Sequence, residues 1–171
     1  MLTASREGNV RTVRSLLGRG ADANERSTSY RTPLDWASRE GRLEVAKLLI
    51  EHGGDVNSWD KAGWTPLLRA SRHGHLDVAC LLLDQGADVD AQMRDLWTPL
   101  HLASSNGYLE IVKLLLERGA NVYVRNDEGL TASQLASRSR KWEIVRFLSK
   151  YGVHWGMIEH RTAPHTHTYL S

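Results

Sequence analysis

Residues 98–122 read TPLHLASSNGYLEIVKLLLERGANV, and most of this stretch recurs along the chain at intervals of 33 residues. Thr-Pro-Leu begins at Thr32, Thr65 and Thr98, and one further step reaches Thr131, where Ala and Ser replace Pro and Leu. Glycine, alanine and leucine positions keep the same register from unit to unit. Because chance does not hold several position classes in one register, the sequence is a repeat array.

The first half of a unit predicts a turn followed by a short helix. Residues 60–63 form a turn signal, since glycine supplies the positive φ that a tight hairpin needs. Thr65 is a good N-cap, and Pro66 follows at the first helical position, where a missing N–H costs nothing. We expect this helix to run to about His73 and to end at Gly74 in the left-handed conformation.

The second half of the unit predicts a second helix that starts near Leu76. Leu76, Ala79, Leu82 and Leu83 recur at the spacing of a buried helical stripe. Gly86 ends this helix, and an extended segment leads into the next turn. Each unit is therefore a hairpin turn, a helix, a reversal and a second helix.

These residues resemble the ankyrin repeat, a family with a 33-residue unit and a Thr-Pro-Leu-His signature. The match lies in 98–103, 107–116 and 119–122, and in register it covers roughly residues 2–156. The resemblance implies an all-α solenoid of helix-turn-helix units, with β-hairpin-like turns that project from one side. It also implies an L-shaped stack in which the shorter helices line a concave face.

The register predicts about five units followed by a C-terminal tail. The first unit begins directly with a helix around Leu2–Glu7, and the last carries Arg140 in place of a helix-ending glycine, with Ser133 and Ser149 at core leucine positions. Polar replacements are what end units need, because water covers one of their sides. The alternative is that the fifth unit is a drifting repeat inside a longer array. The expected divisions are an N-terminal cap at 1–26, full repeats at 27–59, 60–92 and 93–125, a degenerate repeat at 126–156, and a tail at 157–171 that lacks any period.

Composition excludes several classes of protein. The chain has 171 residues, with 22 Lys and Arg against 20 Asp and Glu, so a nucleic-acid-coating protein is not indicated. Its one cysteine, Cys80, excludes an internal disulfide scaffold, and its apolar neighbours predict a buried side chain. No apolar run approaches the roughly 18–20 residues that span a bilayer, and a secretory signal is missing. We therefore expect a monomer in the cytoplasm or the nucleus, without a membrane segment.

Candidate catalytic groups are few. His73 and His75 straddle a helix-ending glycine, so their side chains should diverge, while His165 and His167 stand in the tail without cysteine or carboxylate support. His101 occupies the family's histidine position, which implies hydrogen bonds between neighbouring hairpins. With no glycine-rich phosphate loop and no triad-like spacing, we expect no enzyme, cofactor, metal site or small-molecule substrate.

The family pattern implies that the variable positions of the units carry the binding surface. These positions are rich in Trp and Arg, the residue types enriched among interface hot spots. We expect them to hold a protein or peptide segment of acidic, or acidic and aromatic, character. The predicted partner-binding residues are Arg31, Trp36, Arg39, Trp64, Arg69, Arg72, His73, Arg94, Leu96, Trp97 and Asn106.

Other interpretations of these residues stay open. Trp64 and Trp97 could instead cover the hairpins, and the arginines could form a solvated rim. Tyr30 and Leu96 replace the hairpin glycine, and this predicts a distorted turn because such residues resist positive φ. An exposed apolar tip at Leu96 would suit a partner, although sequence drift would also explain it.

Two other functions remain as alternatives. The chain could be a substrate-recruiting or regulatory segment of a larger, multi-domain protein. Nucleic-acid binding through the arginines is less favoured, since Glu7, Asp35, Glu40 and Asp95 are interleaved with them and the net charge is only +2.

Overall fold

A computed structural model of the chain describes residues 1–159, and the side chains of residues 1–151. Every regular element in this part is an α-helix, which confirms the all-α class. The helices are α1 (Leu2–Glu7), α2 (Val10–Gly18), α3 (Pro33–Arg39), α4 (Leu43–Glu51), α5 (Pro66–His73), α6 (Leu76–Asp84), α7 (Pro99–Asn106), α8 (Leu109–Glu117), α9 (Ala132–Arg138) and α10 (Trp142–Glu159).

The helices form two rows that pack against each other. An inner row consists of α1, α3, α5, α7 and α9, and an outer row consists of α2, α4, α6, α8 and α10, with each helix packed on its neighbours in the row. Between the rows lie fully buried leucines such as Leu49, Leu82 and Leu115. Helices this short are marginal in water, so the continuous core between units holds them.

The inner helices α3, α5, α7 and α9 start at threonine caps. The hydroxyl groups of Thr32, Thr65, Thr98 and Thr131 each accept a hydrogen bond from the backbone N–H three residues ahead. Helix α5 then ends at Gly74 with φ 81°, as the sequence predicted. Local sequence chemistry therefore sets where these four helices begin and where α5 ends.

Four projecting turns precede the inner helices, and we call them the fingers: 27–31, 60–64, 93–97 and 126–130. A backbone hydrogen bond closes each finger, for example from the Asp60 N–H to the Trp64 carbonyl at 3.1 Å. Neighbouring fingers are also joined, as where the Arg94 N–H donates to the Ala62 carbonyl at 3.3 Å. The fingers thus form a hydrogen-bonded series alongside the inner row.

The expectation of distorted turns at Tyr30 and Leu96 is wrong. Tyr30 (φ 65°) and Leu96 (φ 58°) keep the left-handed conformation that Gly63 has at the same position (φ 84°). In all three fingers the N–H of this residue donates to the first finger residue at 2.9 Å. The hydrogen bonds within and between fingers hold the turn, although the left-handed conformation costs a non-glycine residue roughly 1–2 kcal/mol.

At the reversal between the two helices, a side chain of one unit covers a glycine of the unit before it. A Cβ on Gly41 would come 2.5 Å from the His75 Nδ1 atom, and one on Gly74 would come 2.6 Å from the Tyr108 ring. A larger residue at these positions would force the covering side chain to shift. The pairs are Gly8 with Arg42, Gly41 with His75, Gly74 with Tyr108, and Gly107 with Lys141.

The two ends of the array differ. The N-terminal unit begins with helix α1 at Leu2–Glu7, as expected, and Ser149 of the last helix is exposed to solvent. Gly152 keeps the register of the helix-ending glycines, yet α10 continues through it to Glu159. Residues 157–159, expected as tail, are therefore helical, while His165 and His167 lie outside the described residues.

Candidate binding surface

The residues predicted to bind a partner differ in their exposure. We call the exposed surface of the inner helices and their fingers the inner face. Arg69 is the one predicted residue that the structure buries. Five others are exposed: Arg72, His73, Arg94, Leu96 and Asn106. Five are half-buried: Arg31, Trp36, Arg39, Trp64 and Trp97.

Trp36 on helix α3 is surrounded by three arginines from three elements. The guanidinium carbons of Arg6, Arg31 and Arg39 lie 5.6, 5.1 and 5.4 Å from its ring centroid. Each distance allows a cation–π contact, so the ring holds the arginine side chains in place. A cleft of about 380 Å³ beside the ring is lined by Arg6, Glu7, Trp36, Arg39, Glu40 and Arg42.

Trp64 repeats this arrangement one unit further along. The guanidinium carbons of Arg69 and Arg72 lie 5.6 and 5.2 Å from the Trp64 ring centroid. Trp97 differs, because its ring packs against His101 with centroids 6.1 Å apart. The Trp–Arg clusters therefore lie in the first three units, and the fourth unit has an aromatic pair instead.

The prediction that Arg69 binds the partner is wrong, because the structure buries its side chain. Only 6% of Arg69 is exposed, because its guanidinium lies between two buried aspartates of this chain. Its Nε donates to Asp35 Oδ1 at 3.1 Å, and its Nη2 donates to Asp60 Oδ2. Sequence reasoning missed this pair, although Asp35 stands where the next two units carry Leu68 and His101.

The aspartates of this cluster have further partners. The Thr32 N–H donates to Asp35 Oδ2 at 2.9 Å, while Asp60 Oδ1 accepts from the backbone of Ala62 and Trp64 at 2.9 and 3.1 Å. Burial raises the pKa of Asp35, and the Arg69 guanidinium opposes that rise. The cluster ties the finger 60–64 to helices α3 and α5, and so it positions Trp64 on the inner face.

The hydrogen bonds of His101 confirm the role that the family resemblance implied, which is to connect neighbouring hairpins. Its Nε2 lies 3.1 Å from the Val124 carbonyl and 3.2 Å from the Leu130 carbonyl, so it donates to the chain around the following finger. Its Nδ1 accepts from the Thr98 N–H at 3.1 Å. Burial lowers the pKa of His101, which keeps the ring in the neutral form that accepts at Nδ1.

His73 and His75 do not diverge, contrary to expectation. Their rings lie nearly parallel, at 20° with centroids 6.3 Å apart. The reason is that His75 Nε2 donates to the Arg39 carbonyl at 2.8 Å, which draws its ring over Gly41. Burial, followed by the nearby charges of Arg39 and Arg72, lowers the pKa of His73.

Comparison with known families follows the repeat pattern. The family model described as ankyrin repeats (3 copies) matches residues 1–93, and the model described as ankyrin repeats (many copies) matches residues 82–136. The chain belongs to the ankyrin-repeat family. Ankyrin repeats are generally protein–protein interaction modules, and the family is typically non-catalytic. No curated protein matches the chain.

The ankyrin array also exposes a tryptophan that the sequence analysis did not select. Trp59, beside the second finger, is 61% exposed and lines a cleft of about 530 Å³ together with Gly63 and Gln92. Tyr30 and Leu96, at the tips of two fingers, are 48% and 43% exposed. Size and position next to a finger could have identified Trp59, since finger residues are variable in ankyrin units.

The remaining candidate chemistry of the ankyrin array is sparse. Cys80 is half-buried and not in the core as expected, because it faces Asp84 and Arg118, whose nearest atoms lie 3.8 and 3.9 Å from its sulfur. Among the described residues no group of three or more His, Cys, Asp or Glu side chains could hold a metal ion. No helix in that same part of the chain is long and apolar enough to cross a bilayer.

Proposed function

We propose that this ankyrin array is a non-enzymatic protein-binding module that acts as a monomer in the cytoplasm or nucleus. It holds an acidic, or acidic and aromatic, segment of a partner across the inner face and the finger tips. The observation that carries the proposal is the pair of tryptophans, Trp36 and Trp64, each flanked by arginines at cation–π distance. Tryptophan and arginine are the residue types that dominate interface hot spots.

The proposed mechanism is pre-organisation of the binding groups. Arginine side chains lose rotamer freedom when they bind, and this loss weakens an interface. Here the rings of Trp36 and Trp64 already restrict their neighbouring arginines, and the stacked helices fix both rings. Stacking on a ring leaves the N–H edge of a guanidinium free to pair with a carboxylate. A few such anchors would therefore suffice for affinity.

The exposed charge on the inner face supports an acidic partner. Within the described residues, Arg6 and Arg72 have no carboxylate within 4 Å. Arg39 lies 3.6 Å from Glu40, and Arg31 lies 3.6 Å from Asp60, which Arg69 already engages. These groups leave positive charge beside the tryptophans for a partner to neutralise.

A matched pair of double variants tests the proposal. Trp64→Leu with Arg72→Gln alters the inner face, and leucine is tolerated at the first position, because Leu130 occupies it in the last unit. Trp142→Leu with Arg146→Gln makes the same chemical change on the outer row, where both residues are exposed. Quantitative affinity capture from cell extract should lose specific partners only with the inner-face variant, at an unchanged melting temperature. Equal recovery by both variants would refute the assignment.

A further inference from the structure

The inner face carries a regular row of arginines. Arg6, Arg39 and Arg72 occupy equivalent positions in the last turns of α1, α3 and α5, and we call them the arginine row. Packed helices lie about 8–10 Å apart, so the backbone positions that carry the row are expected to repeat at about that interval. The guanidinium carbons of Arg6 and Arg39 lie 5.6 and 5.4 Å from the Trp36 centroid, and hence within about 11 Å of each other.

The neighbours of the row define its charge. Glu7 and Glu40 follow the first two arginines in sequence, and His73 takes the equivalent place beside Arg72. The row is thus bordered by carboxylates on one side in the first two units and by a histidine in the third. The pKa of His73 is lowered by burial and then by Arg39 and Arg72, which places both cations near that ring. An anionic group gains most when it lies along the row itself.

The spacing of the row selects among peptide conformations. A polyproline II helix has three residues per turn and rises 3.1 Å per residue, so every third side chain points the same way at an interval of about 9 Å. A β-strand presents alternate side chains at about 7 Å. An α-helix reaches a comparable interval only at about every sixth or seventh residue. Of the three conformations, polyproline II matches the expected interval of the arginine row with side chains only three residues apart.

The tryptophans beside the row fit the same conformation. Trp36 is half-buried between Arg6 and Arg39, and Trp64 lies beside Arg72. Aromatic grooves recognise proline-rich segments because a polyproline II helix is already ordered and offers flat apolar rings. We propose that the partner segment is an acidic polyproline II strand with a carboxylate at every third residue, seated along Arg6, Arg39 and Arg72. This inference rests on the proposed function.

Synthetic peptides of about twelve residues test the spacing directly. The first repeats Glu-Pro-Pro, the second has the same composition with its glutamates contiguous, and the third repeats Gln-Pro-Pro. With fluorescent labels and the full-length chain, anisotropy titrations at constant ionic strength should show the first binding about tenfold tighter than the second. A tenfold difference is about 1.4 kcal/mol, which two additional exposed ion pairs supply together. The glutamine peptide should bind weakest.

Single variants connect the preference to the row. Arg39→Gln removes the middle charge of the arginine row and should abolish the preference for the Glu-Pro-Pro peptide over the peptide with contiguous glutamates. Arg11→Gln makes the same charge change on the outer helix α2, where Arg11 is exposed, and should preserve that preference. Unchanged circular dichroism and melting temperature in both variants confirm that each still folds.

Several results would overturn the inference, and they separate it from the proposed function. If Arg39→Gln weakens the spaced and contiguous peptides equally, the spacing is wrong but an acidic partner on the inner face stands. If Arg39→Gln and Arg11→Gln have the same effect, both proposals fail. Failure of every peptide to bind also rejects the inference. So does tighter binding of single-stranded DNA, or of a helical peptide with glutamate at every seventh residue.

Discussion

The buried ion cluster around Arg69 offers a direct test of the structural reasoning. Arg69→Met keeps the apolar stem of the side chain but removes the charge that faces Asp35 and Asp60, which are 0% and 4% exposed in the structure. Removing one partner from a buried ion pair costs about 3–5 kcal/mol, because a charge is left without compensation. The expected loss is large compared with the roughly 5–15 kcal/mol that holds a typical domain folded.

The same variant should show a characteristic dependence on pH. Burial already raises the pKa of Asp35, and Arg69 is the main group that opposes the rise, so removing it raises that pKa further. The folded variant then binds protons that the unfolded chain takes up only near pH 4. A carboxyl group with a raised pKa makes the folded protein less stable as the pH rises through that pKa. The variant's loss of unfolding free energy, relative to the natural sequence, should therefore be smaller at pH 5 than at pH 8.

Urea unfolding at the two pH values measures both effects. Far-ultraviolet circular dichroism and tryptophan fluorescence should give the same transition, and Arg72→Met, an exposed arginine of the same helix, should change stability by less than about 0.5 kcal/mol. A double variant, Asp35→Leu with Arg69→Leu, should recover only the part of the loss that comes from Asp35, since Leu68 and Leu102 fill these positions one unit later while Asp60 still lacks Arg69. A loss below about 1 kcal/mol at pH 8, or an equal loss at both pH values, would refute the reasoning.

Three further predictions follow from the packing. Ser71→Ala should stabilise the fold by about 1 kcal/mol in urea unfolding, because the buried Ser71 hydroxyl has no hydrogen-bond partner among the described residues; a destabilised variant would contradict this. Gly41→Ala should lower the free energy of unfolding by at least about 1–2 kcal/mol, and by more than Gly53→Ala does. Both glycines have positive φ, but only an alanine at position 41 would place its Cβ against His75. Equal losses in the two variants would disprove the contact. His101→Leu should have a lower free energy of unfolding than the natural sequence at pH 7, and this difference should shrink towards pH 5. The reason is that the pKa of His101 is lowered in the folded protein, so the stability that His101 contributes falls as the pH drops below about 6.5. A gap that stays constant between these pH values would show that His101 does not titrate as expected.

Local chemistry explains why much of the fold was predictable from the sequence. Thr65, Pro66 and Gly74 determine the start and end of α5 through a cap, a fixed φ and a left-handed residue, and all three act within one unit. Threonine caps also start α3, α7 and α9, although Ala132 replaces the proline in the last unit. The helix order therefore followed from the 33-residue period without any knowledge of contacts between units.

Contacts between units explain what was missed. Arg69 is buried because Asp35, 34 positions earlier, and Asp60 converge on it, and no pattern within one unit contains that information. The finger at Leu96 keeps its shape through hydrogen bonds within its own turn and between neighbouring fingers, which outweigh the preference of a single residue. The stacked rings of His73 and His75 likewise depend on the Arg39 carbonyl of the preceding unit.

The covered glycines at the reversals have a consequence for how such an array changes in length. The covering side chain is Arg42, His75, Tyr108 or Lys141, so one partner of each junction varies freely while the other needs only to lack a side chain. Because each junction requires only a glycine beneath a variable side chain, a whole unit can be duplicated, deleted or moved without changes in its neighbour. Recombination at these junctions would add or remove parts of the binding surface. The two units that Asp35 and Arg69 connect would have to be duplicated or deleted as a pair.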